Sequence, residues 1–122
     1  MSKTSPYHLG RHGEELAAQF LEMCGYHCLG RRYRKWDGEI DLIVRRGPLL
    51  VFLEVKARRS NRCGRPEEAV TPQKLGRLRR VALSFLQENP VAGIVEYRFD
   101  VIAVELLGDG RGCHLRHYAG VG

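Results

Sequence analysis

The spacing of apolar residues along the chain predicts two amphipathic helices. Between positions 13 and 24, apolar side chains recur at spacings of one, three and four, and Gly25 follows as a stop signal. Glu14 and Glu15 then fall in the first turn of this predicted helix, where the helix dipole favours negative charge. A second apolar stripe at 71–88 begins with a threonine–proline pair, which is typical of an N-cap followed by a first helical position.

Alternation of apolar and polar residues predicts five strands, at 26–33, 38–45, 49–57, 97–104 and 113–118. Polar connections that contain glycine are predicted at 58–66 and 108–112. The elements follow the order α-β-β-β-α-β-β, and a sheet flanked by helices would give each apolar helical stripe a partner. The sequence therefore predicts an α/β fold with a mixed central β-sheet, in a single domain over 1–122 whose core spans about 11–118.

The second and third predicted strands carry charged residues inside an apolar pattern. Asp41 lies within 38–45, and Glu54 and Lys56 stand two residues apart within 49–57, which places both on one face. In a hairpin, directly opposed residues have a constant sum of residue numbers, and sums of 93 and 95 both suit the short turn here. Either sum places the three charges on one face, and a sum of 95 places Asp41 opposite Glu54. The apolar residues then share the other face: Ile40, Leu42, Val44, Leu49, Val51, Leu53 and Val55.

Two neighbouring carboxylates indicate a cation between them, because they otherwise repel each other. Carboxylate oxygens with water in the remaining positions suit Mg²⁺ or Mn²⁺. A lysine beside such a metal can stabilise developing negative charge or orient an attacking water. Asp41, Glu54 and Lys56 thus predict metal-dependent hydrolysis of a phosphodiester. The alternative is an ordinary ion pair between Glu54 and Lys56 on an edge strand, an interaction worth about 0–1 kcal/mol.

The composition indicates a basic globular protein. Charged residues make up 28% of the 122 residues, and 20 basic against 14 acidic side chains give a net charge of +6. Sixteen of the basic residues are arginine, whose planar fork of donors matches phosphate. Clustered basic residues predict a nucleic-acid-binding surface, and the alternative is a basic surface that serves only solubility. The candidate binding residues are Arg31, Arg32, Arg34, Lys35, Arg58, Arg59, Lys74 and Arg77.

The sequence also bears on cellular location. No apolar run approaches the ~20 residues of a membrane span, so no membrane partner is predicted. The N-terminus has no apolar signal core, which predicts a cytoplasmic protein with reduced cysteines.

Several motifs, taken in order along the chain, resemble the bacterial YraN-like family. They are Gly13-Glu14, Gly38-Glu39-Ile40-Asp41-Leu42-Ile43, Val51-Phe52-Leu53-Glu54-Val55-Lys56-x-Arg58, Ala69-Val70-Thr71-Pro72-x-Lys74 and Phe99-Asp100-Val101. Through Asp41 and Glu54-x-Lys56 the chain also resembles the PD-(D/E)xK nucleases, which share the restriction-endonuclease-like fold. The YraN-like family is itself similar to archaeal Holliday-junction resolvases. The sequence departs from the superfamily pattern in having Ile40, and no proline, before Asp41.

The resemblance implies specific roles. Asp41 and Glu54 would be metal ligands together with the backbone carbonyl of Val55, and Lys56 would be the catalytic lysine. Glu14 would be an outer carboxylate that holds water or a second ion. Lys74 would approach the site from the second helix.

The function that follows is an expectation with open alternatives. We expect a Mg²⁺- or Mn²⁺-dependent endonuclease that acts on DNA, with selectivity for branched or junction DNA as an extension and RNA as the alternative substrate. A homodimer would suit the cutting of both strands of a symmetric substrate. The competing hypotheses are a non-catalytic nucleic-acid-binding module on the same fold and a basic protein that associates with a nucleic-acid enzyme.

Four further signals are interpreted as mainly structural. Cys24 is expected to lie in the core, because free cysteine is among the most buried residue types. Asp100 is expected to have a structural role or to support a ligand from behind. His114 and His117 have opposite parity on their strand and so do not form a joint metal site. Trp36 lies beside a basic stretch, where it would either stack on bases or serve as a packing or turn residue.

Overall fold

The computed structural model describes residues 6–36, 38–59, 71–107 and 112–121. The elements are α1 (Pro6–Met23), β1 (His27–Lys35), β2 (Gly38–Arg46), β3 (Leu49–Arg59), α2 (Pro72–Glu88), β4 (Glu96–Leu106) and β5 (Cys113–Tyr118). The predicted α/β class is confirmed, and each predicted helix and strand is found, β5 with its predicted ends and the others with at least one end shifted. Residues 58 and 59 continue β3, whereas the rest of the connection predicted at 58–66 and most of that at 108–112 lie outside the described residues.

The five strands form one mixed sheet in the order β1-β2-β3-β4-β5. Only β3 and β4 run parallel, and the other three neighbouring pairs are antiparallel. A parallel pair needs a crossover connection, and α2 lies in the chain between these two strands. The predicted mixed sheet is thereby confirmed.

The N-terminal helix begins earlier than its apolar pattern predicts. It starts at Pro6, so Glu14 and Glu15 lie in the middle of α1, and the prediction that they occupy its first turn is wrong. The apolar stripe marks the part of the helix that packs on the sheet through Ala17, Ala18 and Leu21, and no apolar periodicity in the sequence extends over the preceding turns.

The C-terminal end of α1 forms as predicted. Gly25 has a φ of +92°, its N–H donates to the carbonyl of Glu22 at 3.0 Å, and the Tyr26 N–H donates to the carbonyl of Leu21 at 2.9 Å. This is the Schellman pattern that a left-handed glycine permits. Cys24 lies past the last helical residue and is exposed, so the prediction that it belongs to the core is wrong.

Each helix covers one face of the sheet. On the first face, Ala17, Ala18 and Leu21 of α1 pack on Leu42, Val44, Val51, Leu53, Ile102 and Val104. On the second face, Leu78, Val81, Ala82 and Phe85 of α2 pack on Ile40, Ile43, Leu50 and Phe52. The sheet is therefore buried on both sides, which explains why β3 is almost continuously apolar.

The hairpin register agrees with one of the two predicted sums. Leu42 pairs with Leu53 and Arg46 with Leu49, which corresponds to a sum of 95. The predicted common face is correct for every member except Ile40, which packs against α2 instead. On β1, Arg32 has a φ of +50° between the pairs Arg31–Leu42 and Tyr33–Ile40, and the ladder of β1 and β2 shifts register between Cys28 and Gly30. The alternation of β2 changes face at Asp41.

Gly13 allows α1 to approach β3 closely. A Cβ atom on Gly13 would lie 2.5 Å from the Cβ of Ala57, whereas a Cβ on Gly10 of the same helix would meet nothing within 4 Å. We expect Gly13→Ala to lower the free energy of unfolding by about 1–3 kcal/mol, because the helix must move away from the strand. Gly10→Ala is the matched control and should raise it by up to about 1 kcal/mol.

Urea denaturation of the two variants and the wild type checks this prediction. Equal effects of Gly10→Ala and Gly13→Ala would contradict the close approach of α1 to β3.

Candidate metal and nucleic-acid site

An open cleft lies where β2 begins, beside β3 and the first turns of α2. It is lined by Gly38, Glu39, Asp41, Glu54, Val55, Lys56, Lys74, Arg77 and Leu78. The cleft brings together the sequence-predicted Asp41, Glu54, Val55 and Lys56 with Lys74 and Arg77 of α2. Thr71 fixes the start of α2, because its side chain accepts a hydrogen bond from the Lys74 N–H at 3.1 Å.

Asp41 is a largely buried carboxyl group in an unfavourable electrostatic environment. Its Oδ2 accepts a hydrogen bond from the Val55 N–H at 2.7 Å, and no basic side chain among the described residues is within ion-pair distance. Burial and the negative charges of Glu14, Glu54 and Glu39 raise the pKa of Asp41 to about 7, against the lowering effect of the Val55 hydrogen bond. The ionised form of Asp41 is therefore poorly stabilised by the protein alone.

Three carboxylates converge around this position. Glu14, Glu39 and Asp41 each offer an oxygen atom within 4.8 Å of the others. On their outer sides Glu14 contacts Arg32 at 2.7 Å and Glu39 contacts Arg34 at 2.9 Å. Glu14 reaches the cluster from the middle of α1, which Gly13 holds against β3.

Glu54 lies in the same cleft but in the opposite kind of environment. It is 9% exposed, and its Oε2 forms ion pairs with Lys74 Nζ at 2.6 Å and with Lys56 Nζ at 3.0 Å. Burial acts to lower the pKa of Lys56, but the hydrogen bond and charge of Glu54 outweigh it and raise this pKa. Lys56 is therefore an ammonium group at neutral pH.

The structure thus separates two carboxylates that the sequence pairs. The ladder pairs of β2 and β3 end at Leu42 and Leu53, and the Asp41 side chain binds the backbone of Val55 rather than facing Glu54 in a regular cross-strand pair. Both lysine contacts of Glu54 use Oε2, and Oε1 has no hydrogen bond among the described residues.

The donor set fits a hard divalent cation. Mg²⁺ and Mn²⁺ favour carboxylate oxygens, and a cation among Glu14, Glu39 and Asp41 would offset the burial and the repulsion that together raise the pKa of Asp41. Sequence reasoning missed Glu39 as a candidate ligand. Its signal was its place directly after Gly38 in the motif that contains Asp41.

The basic residues predicted to bind nucleic acid divide into two groups. The four on β1 form ion pairs with acidic side chains: Arg31 with Glu15, Arg32 with Glu14, Arg34 with Glu39 and Lys35 with Glu88. Lys74 and Arg77 instead line the cleft, while Arg58 and Arg59 lie at the end of β3, half-buried and exposed respectively. The positive charge that lines the cleft therefore comes from Lys56 of β3 and from Lys74 and Arg77 of α2.

Asp100 lies in a separate polar network. It is 2% exposed, contacts Arg98 at 2.8 Å and His117 at 2.6 Å, and accepts a hydrogen bond from the Gly120 N–H at 2.9 Å. Burial alone would raise the pKa of Asp100, but the hydrogen bonds from His117 and Arg98 lower it. These contacts tie β4 to β5 and to the residues that follow, in agreement with the structural role predicted for Asp100.

The chain is similar over most of its length to known sequences. Residues 13–104 match a family described as "Uncharacterised protein family UPF0102". A UPF0102 protein of Syntrophomonas wolfei is 47% identical over 103 residues, which cover 84% of this chain and 88% of that protein. A UPF0102 protein of Beutenbergia cavernae is 45% identical over 114 residues, which cover 93% of this chain and 95% of that protein. None of the helices in the described part of the chain is long and apolar enough to cross a bilayer.

Proposed function

The chain belongs to the UPF0102 family, and from the geometry of its acidic cleft we propose that it is a divalent-metal-dependent nuclease that hydrolyses phosphodiester bonds of DNA. The observation that carries the proposal is the convergence of three carboxylates within 4.8 Å next to a cleft that holds two lysines. The proposal includes membership of the PD-(D/E)xK superfamily with its restriction-endonuclease-like fold. It is supported by the Asp41, Glu54 and Lys56 motif that the sequence shares with that superfamily.

In this proposal, carboxylates hold the metal. Glu14 of α1 would supply one carboxylate oxygen, and Asp41 and Glu39 of β2 would supply two more. The resemblance also implies Glu54 as a ligand, but the carboxylates within 4.8 Å of one another are Glu14, Glu39 and Asp41, and Oε2 of Glu54 contacts the two lysines. When bound, Mg²⁺ lowers the pKa of a coordinated water and stabilises negative charge on phosphoryl oxygens.

The lysines stabilise charge on the substrate. Lys56 and Lys74 place two ammonium groups around one oxygen of Glu54, so both are held in position before a substrate arrives. A phosphate that enters the cleft would contact these ammonium groups, which stabilise the extra negative charge of the transition state. Glu54 therefore has a positioning role for both lysines.

The net charge supports a polyanionic substrate. The chain carries +6, and Arg77 and Arg59 extend the positive charge beyond the two lysines of the cleft. A protein that only bound nucleic acid would gain no affinity for phosphate from Glu14, Glu39 and Asp41, because carboxylates repel phosphate in the absence of a metal. The carboxylate cluster thus favours the enzyme over the binding module.

Incubation of the purified protein with labelled linear, branched and four-way-junction DNA tests the proposal. We expect cleavage with Mg²⁺ or Mn²⁺ and none with EDTA, and we expect Asp41→Asn to abolish it while DNA binding persists. The same substrates made of RNA test the alternative nucleic acid. A folded wild-type protein that binds DNA but cleaves none of these substrates with either metal would contradict the enzyme and leave the binding module.

A further inference from the structure

The turn between β1 and β2 exposes the single tryptophan of the chain. Trp36 is 73% exposed, although tryptophan is strongly buried on average in folded proteins. Its φ is +51°, a left-handed conformation that is uncommon for bulky residues. Packing against the rest of the described structure therefore does not account for a tryptophan at this position.

The turn is nevertheless anchored to the body of the protein. A Cβ on Gly38 would lie 2.7 Å from Cγ2 of Val81, so the start of β2 packs directly on α2. On the other side of the turn, Lys35 forms an ion pair with Glu88 at 2.7 Å. Trp36 is thus held outward between two anchored residues.

The position of the turn relates Trp36 to the acidic cleft. Gly38 and Glu39 at the start of β2 line the cleft, and Asp41 follows three residues after Gly38. At about 3.3 Å per residue, the tip of the hairpin lies roughly 10 Å along the strand from Asp41. This is on the scale of one or two nucleotides of an extended strand.

We propose that Trp36 stacks on an unpaired base next to the cleft, so that the protein prefers single-stranded or branched DNA over continuous duplex. An exposed aromatic face binds bases without reading their sequence, because every base offers a flat face for stacking. Continuous duplex offers no free base face, because its bases are already stacked on each other. The inference rests on the proposed function for the placement of a DNA strand at the cleft.

Tryptophan fluorescence tests the proposal without any turnover, because emission reports on Trp36 alone. In EDTA, we expect a single-stranded oligodeoxynucleotide of mixed sequence to quench the emission, and a blunt duplex of the same sequence to leave it almost unchanged. Trp36→Ala should bind the single strand about 5- to 100-fold more weakly, with duplex affinity within about twofold. Trp36→Phe should retain most of the single-strand affinity, because it keeps an aromatic face.

Tyr97→Ala is the matched control. Tyr97 is 52% exposed, but it lies at the start of β4, opposite Leu50, at the other end of the sheet from the cleft. The Tyr97→Ala variant should bind the single strand and the duplex as the wild type does.

Three results would overturn the stacking role. The first is tryptophan emission that does not change when single-stranded DNA is added, and the second is a Trp36→Ala variant that binds every DNA as the wild type does. The third is a loss of self-association in Trp36→Ala on a sizing column, which would make Trp36 a protein contact. If cleavage persists in any of these cases, the proposed nuclease function stands. Quenching and the selective loss of affinity, combined with no cleavage under any metal, would support the stacking role and contradict the nuclease.

Discussion

Replacing Asp41 with asparagine is expected to raise the free energy of unfolding by up to about 4 kcal/mol at pH 8 in EDTA. Burial and the neighbouring carboxylates raise the pKa of Asp41 from 3.8 to about 7 in the folded protein. At pH 8 the folded chain must therefore hold an ionised group that it stabilises poorly. Asparagine is neutral and of the same shape, and its carbonyl oxygen still accepts the hydrogen bond from Val55.

The pH dependence follows from the direction of this shift. A raised carboxyl pKa contributes stability that is fully present below the unfolded value of 3.8 and is lost as the pH rises through about 7. The advantage of Asp41→Asn should therefore shrink to about 1.5 kcal/mol at pH 5. Mg²⁺ or Mn²⁺ should stabilise the wild type at pH 8 and have little effect on the variant. Urea denaturation at both pH values, with EDTA or metal, measures all of these quantities.

Glu54→Gln is the matched control, because it removes the same charge from the same cleft. Here the ionised group is stabilised, since Lys56 and Lys74 contact its Oε2 at 3.0 and 2.6 Å. Removing it leaves two ammonium groups facing each other, so we expect a loss of about 1–2 kcal/mol. If both variants changed the free energy of unfolding in the same direction, it would be wrong that the charge of Asp41 destabilises the fold while the charge of Glu54 stabilises it.

The central hairpin could be predicted from the sequence because burial on both faces fixes it. Leu42, Val51 and Leu53 have to reach the core together, and a slip by one residue would turn every side chain to the other face. Sums of 93 and 95 both satisfy this requirement, and the structure has the sum of 95. The C-terminal end of α1 could be predicted for a similar reason, since Gly25 occupies a left-handed position that few other residues tolerate.

The change of face at Asp41 could not be predicted in this way. It accompanies a distortion in the neighbouring strand, where Arg32 has a φ of +50°, and no feature of β2 itself signals it. Because the alternation changes there, Ile40 packs on α2, and Asp41 meets Glu14 and Glu39. The strict alternation of side chains along a strand therefore predicts that Asp41 belongs to the cleft, but it does not predict that Glu39 lies beside it.

The basic cluster on β1 shows a second limit of the sequence. Four positive charges within five residues predict a phosphate-binding stretch, yet each of them contacts an acidic side chain: Glu15, Glu14, Glu39 and Glu88. These partners lie far from β1 in sequence, except Glu39, so composition could not reveal the pairing. Charge counts locate basic segments, whereas the fold decides which charges remain available to a ligand.

Lys56 provides the sharpest test of catalysis, and Lys56→Met is expected to slow DNA cleavage by roughly 100- to 1,000-fold at saturating enzyme. Lys56 lies in the cleft with Asp41 and Glu54, where its ammonium group would meet the phosphate that gains charge in the transition state. Methionine keeps the length of the side chain and removes its charge. Lys74 still contacts Oε2 of Glu54, so the carboxylate keeps one partner and the cleft should remain folded.

Arg59→Met separates catalysis from simple attraction of DNA. Arg59 is an exposed residue at the end of β3, outside the lining of the cleft, so its removal also deletes one positive charge. This variant should weaken DNA affinity and flatten its salt dependence, with no change in the single-turnover rate once all DNA is bound. The measurement is single-turnover cleavage of end-labelled DNA with Mg²⁺ across a range of enzyme concentrations. If Lys56 did no more than attract the substrate, Lys56→Met would instead resemble Arg59→Met, with weaker binding and an unchanged maximal rate. In that case other groups would have to stabilise the charge that develops during hydrolysis.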